Sequence, residues 1–175
     1  MKGKGQRLNA LEVALENEQR ERAFYLENAR RTKNPLGRGM FEQIAADELE
    51  HYERLKELHT RWKKEEKWPD TVRLTVKKST VRDLFKKTVG GGGDLPPGDD
   101  DDVRAVRVAI DFEARGIQHY ADLRDGSSDA NERAFFDLLS SMEREHYLSL
   151  KDTEEFLTDP VSWYRRTESP GLDGA

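Results

Sequence analysis

Two short segments carry side chains whose types and spacing suit the binding of a metal ion. Glu48-Leu49-Glu50-His51 and Glu143-Arg144-Glu145-His146 each set a carboxylate and an imidazole three residues apart. On a helix that spacing puts both groups on one face, where they can serve one metal ion or let the carboxylate bridge two. Mixed oxygen and nitrogen donors favour iron or manganese over calcium, although zinc can occupy such a site. Glu50 and Glu145 lie two residues from the first Glu of each segment and should point away from the centre.

The two segments are copies of one another. Shifting the chain by 95 residues superposes Ala14 on Ala109, Glu18 on Glu113, Tyr25 on Tyr120 and Phe41 on Phe136. The same shift carries Glu48 onto Glu143, His51 onto His146 and Leu55 onto Leu150, with no insertion between the first pair and the last. A repeat of this length is a duplicated helical hairpin. Asp47 and Met142 share a repeat position and differ, which argues against a duplicated metal role there.

The elements that must position these groups follow from hydrophobic spacing and punctuation. A first helix is predicted from about Leu8 to Arg31, and Asn34-Pro35-Leu36-Gly37 punctuates it. A second should run from about Met40 to Lys67 and end at Trp68-Pro69. Residues 69–102 read as a long crossover, with Thr71 to Val76 extended, Val81 to Lys87 a short helix, and Gly90 to Gly93 a flexible break. Asp99 to Asp102 suit a helix N-terminus, so a third helix is expected from there to about Arg124. Asp129 with Glu132 is a capping-box pair for a fourth helix reaching about Leu157. Residues 1–7 should be flexible, and the tail, 158–175, should pack through Trp163 and Tyr164 and fray after Pro170.

The expected fold is therefore all-α, a four-helix bundle over residues 8–157 made of two duplicated hairpins joined by a long crossover. Ile44, Glu48, His51, Leu55 and Leu58 share one inward stripe, and Leu139, Glu143, His146 and Leu150 share its counterpart. Leu11, Ala14, Glu18 and Tyr25 line the first helix, and Val106, Ala109, Glu113 and Tyr120 the third. Four carboxylates and two histidines thus point to one bundle centre. Uncompensated, each such charge costs several kcal/mol or takes up a proton, so a cation is implied. One Glu from each of two helices, plus Glu-x-x-His from each of the other two, is the ligand set of ferritin-like dinuclear bundles. The competing reading, a metal-free buried polar network, is difficult to satisfy.

Composition bounds the function classes. The chain has 175 residues, a formal net charge of -5 and no cysteine. Its length allows one domain, and its charge argues against nucleic acid as a partner. The missing cysteines exclude disulfides, thiolate catalysis, Cys-ligated zinc and iron–sulfur centres within these residues. No apolar stretch of signal or membrane-spanning length follows the basic start, so a cytoplasmic protein without membrane partners is expected. His59 and His119 are expected outside the ligand set, and Lys63 to Lys67 at a solvated helix end. Trp62, Trp68 and Trp163 are candidates to anchor the crossover, the tail or a dimer contact.

The segments Ala14 to Glu18 with Phe24-Tyr25, Ala45 to His51, Ala109 to Glu113 with His119-Tyr120, and Met142 to His146 resemble the rubrerythrin-related branch of the ferritin-like superfamily. The resemblance spans residues 8–157. It implies two iron ions per chain, or manganese, with Glu48 and Glu143 bridging, Glu18 and Glu113 terminal, and His51 and His146 supplying nitrogen. It further implies reduction of hydrogen peroxide or activation of dioxygen, an external electron donor protein in place of the family's rubredoxin domain, and a homodimer. Ferroxidase or iron-handling activity is the alternative, and a non-catalytic helical interaction module the second. Tyr25 and Tyr120 are candidates to hydrogen-bond ligands or hold redox equivalents near the site. Rubrerythrin carries a further Glu three residues after the third-helix ligand, where this chain has Gly116. The repeat-equivalent residue is Glu21, which can supply a seventh carboxylate, pair with Arg or face solvent.

Overall fold

A computed structural model describes residues 4–65, 79–91 and 95–168. Helices α1 (Lys4–Arg31) and α2 (Pro35–Glu65) form one hairpin, and α4 (Asp100–Asp125) and α5 (Ala130–Thr158) form the other. Between them lies α3 (Val81–Gly90), which packs on α2 and α5, and α6 (Pro160–Glu168) closes the described chain against α5. All six elements among the described residues are helices, in agreement with the expected ferritin-like bundle.

The boundaries differ from expectation in several places: α3 continues past Lys87 to take in Gly90, and the tail forms a helix, α6. Helix α1 begins at Lys4, four residues before Leu8, so part of the segment expected to be flexible is helical. Helix α2 starts at Pro35, five residues before Met40. Asn34 is the reason: its Oδ1 accepts from the backbone N–H of Leu36 at 3.0 Å and of Gly37 at 3.2 Å. A proline follows at the first helical position, where its missing N–H costs nothing. The punctuation therefore separates the two helices with only Thr32 to Asn34, and its Pro35-Leu36-Gly37 already belongs to α2. The extended strand expected over Thr71 to Val76 lies outside the described residues.

The other caps form as the sequence indicates. Asp99 accepts from the N–H of Asp102 at 2.7 Å, and Asp129 from those of Asn131 and Glu132 at 2.8 and 3.0 Å. Two contacts tie the end of the crossover to the bundle: Asn34 Nδ2 donates to the Pro96 carbonyl, and the Gly98 N–H to that of Leu157. A Cβ at Gly98 would lie 3.0 Å from Leu157 Cβ, so only glycine lets the chain approach α5 this closely. The α3 face Val81, Phe85 and Val89 is buried. Trp163 and Tyr164 of α6 pack edge-on against Phe156, and Trp163 also meets Phe85.

The core is divided. One apolar cluster holds Tyr25, Phe41, Ile44, Val106, Ala109, Leu150 and Phe156; a second holds Leu11, Ala14, Leu55, Leu58, Tyr120, Phe136 and Leu139. Each long helix passes from one cluster to the other, and its Glu and His residues fall between. The duplicated order along the helices, run in opposite directions, produces a polar layer between two apolar ones.

Candidate metal centre

Helices α1 and α4 each contribute one buried glutamate to that layer, Glu18 and Glu113; α2 contributes Glu48 and His51, and α5 contributes Glu143 and His146. All six are between 0% and 2% exposed. They form two overlapping groups, Glu18, Glu48, His51 and Glu143, and Glu48, Glu113, Glu143 and His146. Within each group the donor atoms lie within 4.8 Å of one another. Glu48 and Glu143 belong to both, and each histidine to one.

Both imidazoles turn Nδ1 to the centre. His51 Nδ1 is 3.4 Å from Glu18 Oε2, 3.4 Å from Glu48 Oε2 and 3.3 Å from Glu143 Oε1. His146 Nδ1 is 3.4 Å from Glu48 Oε1 and Glu113 Oε2, and 3.8 Å from Glu143 Oε2. The rings stack with centroids 5.8 Å apart.

Electrostatics make this layer costly when only protons compensate it. Burial, then the neighbouring Glu143, pushes the Glu48 carboxyl well above the ordinary range and that of Glu113 up to about 8. Burial also pushes Glu143 up, but the facing imidazoles of His146 and His51 outweigh it and hold that carboxylate low. Burial alone would lower both histidines; the carboxylates around them raise both well above the usual value. Several buried atoms nevertheless lack a hydrogen-bond partner: Glu18 Oε2, Glu113 Oε2, both carboxylate oxygens of Glu48 and Glu143, and Nδ1 of each histidine. Converging, buried O and N donors are what divalent cations satisfy, so the residues present fit bound metal.

Around this set the structure places the other expected residues. Tyr25 on α1 donates to Glu113 on α4, and Tyr120 on α4 donates to Glu18 on α1. Both hydroxyls are fully buried and raised in pKa by burial and by the carboxylates they face. Glu21 lies outside both donor groups, 7% exposed. Burial, followed by Glu143, Glu113 and Glu18, pushes its carboxyl up to about 9. It lines a small cavity of about 180 Å³ with Glu18, Gly116, His119 and Tyr120. A Cβ at Gly116 would stand 3.3 Å from Glu143 Cγ, so glycine leaves room there for the carboxylate. His59 sits away from the centre, 3.2 Å from Glu12. Glu50 and Glu145 are half-buried and join neither donor group.

Repeat comparison overlooked Asp47. Its Oδ2 is 2.9 Å from His146 Nε2, and it also accepts from Ser79 Oγ; Oδ1 accepts from Gln43 Nε2 at 3.1 Å. Burial pushes Asp47 up, but hydrogen bonds from His146, Ser79 and Gln43 outweigh it and keep it below the ordinary value. The residue just before an inward Glu is rotated about 100° around a helix, toward the neighbouring helix, and that placement was the available signal. The mismatch with Met142 marks a role that exists once.

Fold and site together define a ferritin-like helical bundle with a buried carboxylate and histidine cluster suited to metal. The family model for rubrerythrin matches residues 9–154, and the chain belongs to that family. Neither a curated protein nor a solved structure matches it.

Proposed function

We propose that the protein is a non-haem dinuclear iron oxidoreductase that reduces hydrogen peroxide. The observation that carries this reading is the overlap of the two donor groups through Glu48 and Glu143, which offers two adjacent cation positions rather than one. Two iron ions held there would supply one electron each, matching the two electrons needed to convert one peroxide and two protons into two waters.

The residues around the centre bind and supply protons. Glu18, Glu48, His51, Glu113, Glu143 and His146 would hold the ions in a layer closed by apolar clusters on both sides, which excludes bulk water. The cavity beside Glu18 and Gly116 admits a molecule of peroxide size. Glu21, whose carboxyl burial pushes up, lines that cavity and serves as the proton donor. Tyr25 and Tyr120 hold the carboxylates of Glu113 and Glu18 in place as charge at the centre changes. These 175 residues hold no cysteine for a rubredoxin-type centre, and in this reading electrons return from an external donor protein.

Protein reconstituted anaerobically with ferrous iron tests the reading in single turnover. The expected result is uptake of two ions per chain and oxidation of two ferrous ions per peroxide, faster than by dioxygen. Faster reaction with dioxygen that releases peroxide would identify a ferroxidase instead. Absence of iron uptake would leave a helical interaction module.

A further inference from the structure

The six inward donors obey the duplication, but the groups behind the two histidines do not. His146 Nε2 lies 2.9 Å from Asp47 Oδ2. An ionised carboxylate only accepts hydrogen bonds, so in the neutral imidazole that a metal requires, Nε2 carries the hydrogen and Nδ1 presents its lone pair to the centre. Asp47 is itself fixed, by Gln43 one turn before it on α2 and by Ser79, buried ahead of α3. Ser79 Oγ in turn accepts from the N–H of Val81 at 3.3 Å, anchoring this chain of contacts to the first turn of α3. At the other imidazole the repeat supplies Met142, and His51 Nε2 is buried without a partner. Among the described residues no group accepts from that Nε2 to select the tautomer.

We propose that Asp47 is a positioning residue that makes the two metal positions inequivalent, so that the position served by His146 takes the first divalent ion and that served by His51 the second. This rests on the metal-centre reading above. A histidine held by a carboxylate on its far nitrogen is pre-set in ring orientation and tautomer and is the more basic ligand; losing such a partner costs roughly tenfold to hundredfold in metal affinity. His51 must select its tautomer as the ion arrives and binds more weakly. The asymmetry also links metal uptake to α3, because the anchor of Asp47 belongs to the crossover rather than to either hairpin.

Anaerobic titration of the full-length protein with cobalt(II), followed by calorimetry and by the visible absorption of the bound ion, tests the proposal without reference to turnover. The unsubstituted protein is expected to take up two ions in two resolved steps. Asp47→Asn should weaken the tighter step roughly tenfold to hundredfold and leave the weaker one within a factor of about two. Ser79→Ala, which keeps the carboxylate but frees it, should weaken the same step severalfold, and it carries the test if Asp47→Asn does not fold by circular dichroism. Two indistinguishable steps in the unsubstituted protein, equal weakening of both steps, or no change in either variant would overturn the proposal while leaving the dinuclear centre standing. Failure of the unsubstituted protein to bind cobalt(II) would overturn the centre itself, and this inference with it.

Discussion

The hydroxyl of Tyr25, on α1, donates to Glu113 on α4, and Tyr120 on α4 returns the contact to Glu18 on α1. Each tyrosine thus serves the carboxylate of the opposite hairpin. Since the contacts are reciprocal, Tyr25→Phe and Tyr120→Phe should slow single-turnover peroxide reduction by similar factors, each severalfold. Metal content should not change. Stopped-flow absorbance with elemental analysis measures both, and a silent variant of either tyrosine would contradict the expectation.

The metal-free protein should lose stability as pH rises from about 6 to 9. Burial, then the nearby Glu143, pushes the Glu113 carboxyl up to about 8 and that of Glu21 up to about 9, above the ordinary carboxyl range. A carboxyl raised on folding contributes its full stability below the unfolded value and loses it as pH climbs through the folded one. His51 and His146 are raised as well and act in the same direction above about 6.5. Glu143 is held low, so its contribution disappears only in acid. Differential scanning calorimetry should show Tm falling by several degrees over this range, and a flat profile would count against it.

Glu48→Gln should separate stability from metal binding. The substitution removes a carboxyl that burial and Glu143 push far above its ordinary value, so the metal-free protein should melt a few degrees higher at pH 8. Uptake of metal should fall by at least one ion per chain, because Glu48 belongs to both donor groups. Lower Tm together with unchanged uptake would be the opposite outcome.

Gly116→Ala tests the space beside Glu143. Alanine in a helix interior usually gains about 1 kcal/mol over glycine. Here the added Cβ would meet Glu143 Cγ at 3.3 Å and its Oε2 at 3.4 Å. The gain in Tm should therefore be absent or much reduced, and cobalt(II) affinity should drop. An ordinary stabilisation with unchanged affinity would show that the carboxylate moves aside at no cost.

Asn34→Ala provides the contrast, a change in fold that spares the site. It removes the cap of α2 and the bond to the Pro96 carbonyl. Loss of such a cap costs about 1 kcal/mol, or roughly 2–4 °C in a chain of this size. Metal content should stay the same.

The sequence by itself determined the six inward donors. Their spacing along each helix and the offset of 95 residues between copies depend only on local periodicity, and periodicity survives whatever the packing. It also placed the Asp129 cap, because a cap acts within its own turn, while Asp99 to Asp102 were legible only as negative charge at a helix start. The start of α2 was harder to place: Asn34 with Pro35 has the residue types of a turn and of a helix start alike, and the competition is settled by the two N–H groups that Asn34 accepts.

Tertiary structure alone decided what stands behind the donors. Tyr25 and Glu113 are 88 residues apart, and Asp47 and His146 are 99 apart. Ser79 reaches Asp47 only because α3 lies across α2 and α5. Helical periodicity assigns a residue to a face, whereas a partner on another helix depends on how the hairpins dock. Duplication made the two halves of the centre legible as equals; docking, through one aspartate that the repeat does not copy, made them unequal.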